Sequence, residues 1–371
     1  MEYSRLVAEV FDNCLGVKTG DAVWVSSWDH TLDLAASMQF ECVRRGCPQL
    51  TTVKQEAVWF RSISELSTSQ LKVVSPQMRA ALAESDFYIF TMGPRNPIPW
   101  NSIPIAKRNL ISVWLDTRYD KSPYARQWAK ISTTHGVRML AIEATLATPE
   151  RAKPLGLNHT EWRNVMFQGC LVDHREIVRK SMALSRLLSG KGRVRIATPS
   201  GTELSLMLDQ RPVGISDGVA TKDKARKGLI TFLPAGAIEV SVGEESVEGR
   251  VVYDAPVRMG NNMIKGLELR LKDGRIEHYR AARGAELFGQ YLHKGGRDAG
   301  RFAFFGFGLN PNLRHGFTQD DKVLGGVTLG FGSNRTMGGK NKASEQWWAS
   351  INKATVSING AEIMEDGKLL V

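Results

Sequence analysis

Metal-binding side chains in the second half of the chain are the first candidates for chemistry, because imidazoles and carboxylates hold zinc, iron and manganese in enzymes. The candidates there are His278, His293, His315, Glu239, Glu244 and Glu245. No two of these histidines have the close spacing typical of a metal site. The other histidines, His30, His135, His159 and His174, are scattered through the first half. We therefore expect no bound metal and no other cofactor, and a metalloenzyme with relocated ligands is kept as a third hypothesis.

Proton transfer and nucleophilic catalysis have few candidates. The carboxylates of Asp320, Asp321 and Glu345 could act as acid or base. Cys170 has no recognisable histidine partner, and Ser200-Gly201-Thr202 is typical of a turn. The chain contains no phosphate loop, GxGxxG or HExxH motif. The residues by themselves predict no catalytic group.

Strand-like and helix-like segments alternate through the first half of the chain. The segment Asp21 to Ser26 reads as a buried strand, and Asp29 to Arg45 has helical spacing that Gly46 would end. Further strands are predicted at 87–90, 110–114 and 138–142, and helices at 77–83 and 123–133. Such alternation indicates a parallel sheet covered by helices, a Rossmann-like α/β domain over residues 1–160. The proline-rich segment 93–104 follows a strand, where open α/β sheets place ligands.

The second half changes to a period of two. An amphipathic helical segment at 161–192 links the halves, and alternating apolar residues then predict antiparallel strands. Lys272-Asp273-Gly274-Arg275 and Ile358-Asn359-Gly360-Ala361 are typical of hairpin turns. A helix is predicted at Ala281–Leu292. Residues 193–371 are therefore expected to form an α+β domain.

Composition narrows the possible partners and location. The chain has 371 residues and a net charge of +11, spread over both halves, which argues against nucleic-acid binding. No apolar run is long enough to span a membrane, and the first residues do not resemble a secretion signal. The 4 cysteines are too scattered for a disulfide framework. We expect a cytoplasmic protein that binds neither nucleic acid nor membrane.

Short segments of the chain resemble two related enzyme families. The segments are Leu233-Pro234-Ala235-Gly236, Glu245–Gly249, Leu271–Arg275, Gly308-Leu309-Asn310-Pro311, Gly325–Gly330 and Gly338–Lys342. The first three are similar to the C-terminal domain of leucyl aminopeptidase T-type metallo-aminopeptidases. The last three also resemble the dihydroxypyridine dioxygenases built on the same scaffold. Less specifically, Gly20–Val25 and Arg45-Gly46-Cys47 resemble the opening unit of the family.

The resemblance implies an N-terminal Rossmann-like domain, a C-terminal aminopeptidase T-like domain with antiparallel strands, a cleft between them and a homodimer. It also implies which positions hold metal ligands in the family. In this chain those positions are occupied by Ala237, Phe304, Thr328, Gln346 and Trp348. Ala, Phe and Trp offer no lone pair to a metal, and Thr and Gln are weak neutral ligands. A shift of two residues would bring Glu239 to the first position, and Arg301 offers another frame for the second, but no shift restores all five.

Aromatic side chains at these positions would form a dry pocket that suits apolar side chains of a peptide. The predicted peptide-binding residues are Phe304, Gln346, Trp347, Trp348 and Thr328, together with the basic Arg301, Arg314, Lys340 and Lys342, which could grip carboxylates. Two simpler interpretations stay open. The aromatics could merely fill the space left by a metal, and the basic residues could form a solvated face.

These observations lead to a functional hypothesis. The chain is expected to be a metal-free pseudo-enzyme that binds a peptide, such as a ribosomal precursor peptide, in its inter-domain cleft. It would present the peptide to partner modifying enzymes in a natural-product pathway of the crocagin type. The alternative is a metal-independent enzyme that cyclises or isomerises such a peptide by acid–base catalysis.

Overall fold

The computed structural model describes residues 3–108, 110, 123–259, 262–344 and 346–371. The helices are α1 (Ser4–Glu9), α2 (Leu32–Arg45), α3 (Glu56–Glu65), α4 (Thr68–Leu71), α5 (Pro76–Ala83), α6 (Ile105–Arg108), α7 (Pro123–His135), α8 (Pro149–Leu155), α9 (His159–Gly169), α10 (His174–Leu188), α11 (Lys222–Arg226) and α12 (Ala285–Lys294). The strands are β1 (Val23–Trp28), β2 (Gln49–Lys54), β3 (Phe87–Thr91), β4 (Arg138–Ile142), β5 (Lys191–Ala197), β6 (Glu203–Asp209), β7 (Val213–Ser216), β8 (Thr231–Leu233), β9 (Ala237–Ser241), β10 (Glu248–Val252), β11 (Val257–Met259), β12 (Asn262–Ile264), β13 (Glu268–Lys272), β14 (Arg275–Arg280), β15 (Phe302–Gly308), β16 (Val327–Gly332), β17 (Gln346–Ile351), β18 (Thr355–Ile358), β19 (Ala361–Glu365) and β20 (Lys368–Leu369).

The first compact unit is built on a parallel sheet with the strand order β2-β1-β3-β4-β8. Strands β1 and β3 are buried along their whole length, because a parallel sheet is covered on both faces. The ring of Trp24 lies 4.8 Å from Tyr88 and 5.7 Å from Trp128, which anchors a core on one side of the sheet. The predicted Rossmann-like architecture is confirmed.

Helix positions in the first unit follow the local sequence signals. Helix α2 ends at Gly46, whose φ of 69° is left-handed, as glycine allows. Helices α5 and α7 occupy the two predicted segments. The predicted strand at 110–114 lies, except for residue 110, outside the described residues. No helix in the described ranges is long and apolar enough to cross a bilayer.

The boundary between the units differs from the predicted 1–160, 161–192 and 193–371. The first unit comprises Met1–His174 and Gly218–Pro234, and the second comprises Arg175–Asp217 and Ala235–Val371. The chain returns to the first unit because β8 pairs in parallel with β4, Leu233 beside Ile142. A strand of three residues has no periodicity of its own, so the sequence pattern does not reveal this return.

The second unit contains two main antiparallel sheets. The larger has the order β14-β13-β10-β6-β5-β18-β19-β20, and the smaller has the order β17-β16-β15-β9-β7. Burial alternates strictly along β5, as the period of two predicts. Both predicted hairpin turns are confirmed, since Asp273-Gly274 and Asn359-Gly360 join paired strands with positive φ at both residues.

The two predicted helical segments that follow residue 160 differ from the structure in their bounds. The predicted linking segment forms two helices, α9 and α10, and the division between the units falls at the start of α10. Helix α12 begins at Ala285 rather than at the predicted Ala281, because β14 extends to Arg280 and Gly284 precedes the helix with a left-handed φ of 86°.

Candidate functional site

The smaller sheet of the second unit has one apolar face. Trp347, Phe331 and Phe302 are neighbours across β17, β16 and β15. Trp347 stacks on Phe331 at 4.5 Å between ring centroids, and Phe331 meets Phe302 edge-on at 5.3 Å. Trp347 is 5% exposed and is part of the core. The prediction that Trp347 contacts a peptide together with Trp348 is therefore corrected, since successive strand residues point to opposite faces.

The opposite face, called the site face below, carries the positions at which metal ligands would be expected. It comprises Ala237, Glu239 and Ser241 on β9, Phe304, Gly306 and Gly308 on β15, Thr328 and Gly330 on β16, and Gln346, Trp348 and Ser350 on β17. A register shift between Phe302 and Phe304 turns these two residues to different faces. All five expected ligand positions thus share one face.

Glu239 is the carboxylate of the site face. It lies between Gly214 of β7 and Gly306 of β15 and is half-buried. A Cβ atom added at Gly214 would lie 3.1 Å from Glu239 Oε1, and one added at Gly306 would lie 3.1 Å from Glu239 Cβ. The two glycines therefore leave room for the carboxylate side chain. The sequence resemblance assigns Glu239 to the first ligand position only if the alignment is shifted by two residues. Because residues two apart on a strand share a face, Glu239 lies on the same face as Ala237.

Neutral polar groups occupy the centre of the site face. The hydroxyls of Thr328 and Ser350 lie 2.9 Å apart, and both residues are buried. Gln346 Nε2 donates a hydrogen bond of 2.8 Å to the Ser333 carbonyl. These groups satisfy one another or the backbone, as buried polar groups must. They provide hydrogen bonds but no charge.

Aromatic side chains occupy the end of the site face next to the loop between β16 and β17. The ring of Phe304 lies directly over Gly330, where an added Cβ atom would overlap it. Met337 of the loop packs on Phe304. Trp348, the neighbour of Gly330 on the other side, is 47% exposed. Phe304 is 4% exposed, so its predicted contact with a peptide is corrected as that of Trp347 is, and the open apolar surface at this end belongs to Trp348.

The turn Asp320–Lys322 borders the site face at Gly308, where an added Cβ atom would overlap the backbone of Val323. Asp320 Oδ1 accepts a 2.8 Å hydrogen bond from the Gly316 amide. Burial raises the pKa of the Asp320 carboxyl, against the opposing effects of that hydrogen bond and of nearby His315 and Arg258. A carboxyl with a raised pKa is suited to proton transfer. Glu345, predicted with Asp320 and Asp321 for this role, lies outside the described residues.

The four predicted basic residues fall into two groups. Arg301 Nη2 lies 3.4 Å from Glu245 Oε1 and Arg301 Nε lies 3.9 Å from Asp298 Oδ1, so neighbouring acids hold this side chain. The Arg314 guanidinium lies 5.1 Å from the Phe317 ring centroid. Lys340 and Lys342 are exposed on the loop that carries Met337. These two lysines remain accessible to an acidic partner.

The donor set of the site face does not fit a catalytic metal. A hydrolytic metal pair needs several carboxylates or imidazoles, and a facial iron site needs two imidazoles and one carboxylate. Of the expected positions, none carries an imidazole or a carboxylate. In the part of the chain that the structure describes, two groups of residues could hold a metal ion, and both lie in the first unit. They are Glu9, Cys14 and His174, and Asp29, His30 and Glu56. His30 and His174 are far apart in the sequence, and each lies in a different one of these groupings.

Comparisons with known proteins agree with this architecture. The family model described as NicX, 2,5-dihydroxypyridine 5,6-dioxygenase, matches residues 169–371. The structure of wild-type AmpT from Thermus thermophilus is similar with a TM-score of 0.68 and 15% identity, covering 100% of this chain and 99% of the other. The 2,5-dihydroxypyridine dioxygenase from Pseudomonas putida KT2440 has a TM-score of 0.64 and 15% identity, covering 99% and 96%. No curated protein matches the sequence. At this identity the two structures establish a shared fold.

Proposed function

The chain belongs to the NicX, 2,5-dihydroxypyridine 5,6-dioxygenase, family, and from this premise we propose that its second unit binds a peptide on the site face without a metal there. One observation carries the proposal. Ala237, Phe304, Thr328, Gln346 and Trp348 share one face of the sheet, yet none of them is a good metal ligand. The scaffold is retained while the donor set for metal chemistry is absent, so binding is the activity that these residues support best.

The proposed peptide contacts follow from exposure and charge. Trp348 would take an apolar side chain, because an open indole contributes large apolar area at low entropic cost. Lys340 and Lys342 would bind acidic side chains or a carboxyl terminus. Glu239 would bind a peptide ammonium group between its flanking glycines. Strand β17 lies at the edge of its sheet, so an extended peptide could also pair with its backbone.

The proposal extends to the source of the peptide and to the partners of the protein. The bound peptide would be a ribosomal precursor, and the protein would present it to partner modifying enzymes in the cytoplasm as a homodimer. A presenting protein needs affinity without turnover, which is what a face with one carboxylate, buried hydroxyls and an open aromatic group can supply.

A selection experiment tests the proposal. A phage-displayed library of random dodecapeptides is selected on the full chain in the presence of EDTA, and the affinity of an enriched peptide is measured by fluorescence anisotropy. Trp348→Ala should weaken binding by at least tenfold, since a central aromatic anchor contributes about 2 kcal/mol or more. Leu370→Ala is the control, because Leu370 is 48% exposed but lies outside the site face. Failure to enrich any peptide, or equal affinity in both variants, would overturn the proposal.

A metal-independent enzyme is the second candidate, favoured by the raised pKa of Asp320 beside the site face. The selected peptide is incubated with the protein and analysed by mass spectrometry and chromatography. Binding alone predicts an unchanged peptide with wild type, Asp320→Asn and Asp321→Asn. A product that wild type forms and Asp320→Asn does not form, at equal affinity, would establish the enzyme instead.

A further inference from the structure

A group of ligand atoms converges at the carboxyl edge of the parallel sheet in the first unit. Asp29 and His30 directly follow β1, and Glu56 opens α3 after the neighbouring strand β2. One ligand atom of each residue, a histidine nitrogen or a carboxylate oxygen, lies within 4.8 Å of the ligand atoms of the other two. Parallel sheets place ligands at this edge, because the loops after adjacent strands meet there.

The imidazole of His30 is oriented by the backbone. Its Nε2 atom lies 3.4 Å from the Thr145 carbonyl oxygen, which can only accept a hydrogen bond. The neutral ring therefore carries its hydrogen on Nε2, and Nδ1 presents a lone pair. The His30 side chain is 6% exposed, and Nδ1 is buried with no hydrogen-bond partner among the described residues. Metal-binding histidines typically donate their other ring N–H to a carbonyl in this way.

Both carboxylates are fixed by backbone amides. Asp29 Oδ2 accepts a 2.8 Å hydrogen bond from the Glu56 amide, and Asp29 Oδ1 lies 3.9 Å from His30 Nδ1. Glu56 Oε2 accepts a 2.8 Å hydrogen bond from the Arg95 amide, in the proline-rich loop that follows β3. The Arg95 guanidinium lies 4.0 Å from Glu150, which partly balances its charge. Backbone amides thus hold both carboxylates near the His30 ring.

We propose that Asp29, His30 and Glu56 bind a divalent transition-metal ion of the Zn²⁺ class. One imidazole with two carboxylates favours such ions over Mg²⁺ and Ca²⁺, which prefer oxygen ligands alone. Ligand atoms in a tetrahedral zinc site lie about 3.3 Å apart, so small side-chain movements would close the present arrangement. Three protein ligands leave a fourth position for water or another ligand.

Equilibrium dialysis tests the site independently of peptide binding, since it lies in the other unit. The full chain is stripped with EDTA, dialysed against Zn²⁺ and analysed by elemental mass spectrometry. Wild type should hold Zn²⁺ with a micromolar or lower dissociation constant that excess Mg²⁺ does not change. The isosteric variants Asp29→Asn and Glu56→Gln, and His30→Gln, should each weaken this binding at least tenfold.

His159→Gln is the matched control, because His159 Nε2 also lies 3.2 Å from a carbonyl oxygen, that of Ala147, yet His159 belongs to no grouping of ligands in the described residues. It should bind Zn²⁺ like wild type. Asp29→Asn keeps an oxygen that can accept from the Glu56 amide, so circular dichroism should show an intact fold. The proposal is overturned if folded wild type binds no Zn²⁺, or if the three ligand variants bind it as tightly as the control.

Discussion

Adjacent tryptophans on β17 should respond very differently to truncation. Trp347 is almost fully buried, and Trp347→Ala removes about 200 Å² of buried surface, which at about 25 cal/mol/Å² is about 4–5 kcal/mol. The lost stack on Phe331, at 4.5 Å, adds to this cost. Trp348 is 47% exposed, so about half as much surface is lost, and Trp348→Ala should cost about 2–3 kcal/mol by the same reasoning.

The assay is urea unfolding followed by far-ultraviolet circular dichroism, with both variants compared with wild type in parallel. Trp347→Phe serves as a partial rescue, because it keeps a ring in the same place and should recover a large part of the lost stability. The midpoints of Trp348→Ala and Trp347→Phe should both lie between that of wild type and the lower midpoint of Trp347→Ala. If Trp348→Ala proves as destabilising as Trp347→Ala, the assignment of the two faces of the sheet is wrong.

Two further predictions concern the same unit. Gly330→Ala should destabilise the protein by about 1–3 kcal/mol in thermal unfolding, because the new Cβ would overlap the Phe304 ring, and Phe304→Leu should relieve part of that cost. Burial alone would raise the pKa of Glu244, but the Lys340 amide, with the Arg211 guanidinium 3.0 Å away, holds that pKa below its ordinary value. The unfolding free energy should therefore fall as the pH drops from the ordinary glutamate pKa of 4.5 towards the lower pKa of the folded state. Glu244→Gln should flatten this dependence, because it removes the titrating group. If the variant has the same pH profile as wild type, the prediction for Glu244 is wrong.

The parallel sheet and the antiparallel strands of the second unit could be predicted because their signals are local. A continuous apolar run such as Phe87–Thr91 is typical of a strand in a parallel sheet. An alternating run such as Lys191–Ala197 is typical of an antiparallel strand with one buried face. The return of residues 231–233 to the first sheet depends on pairing with a distant strand, β4, which no local pattern encodes.

Strand periodicity decides which residues of the smaller sheet share a face. It separates Trp347 from Trp348, because successive residues of a strand point to opposite faces, whereas aromatic composition alone predicts one pocket for both. The bulge that separates Phe302 from Phe304 has no clear sequence signal. The grouping of Asp29, His30 and Glu56 has no local sequence signal, because these residues converge only when β1 and β2 pair.

The late arrival of β8 has a consequence for biosynthesis. Because residues 231–233 complete the first sheet, a nascent chain that has emerged only as far as His174 still exposes the edge of β4 at Leu140, Ala141 and Ile142, all of which are buried in the finished protein. Residues 175–217 of the other unit must leave the ribosome before that edge is covered. An open apolar edge invites pairing with other chains. The β4 edge is therefore open to such pairing while residues 175–233 are translated, and a fragment truncated at His174 should aggregate.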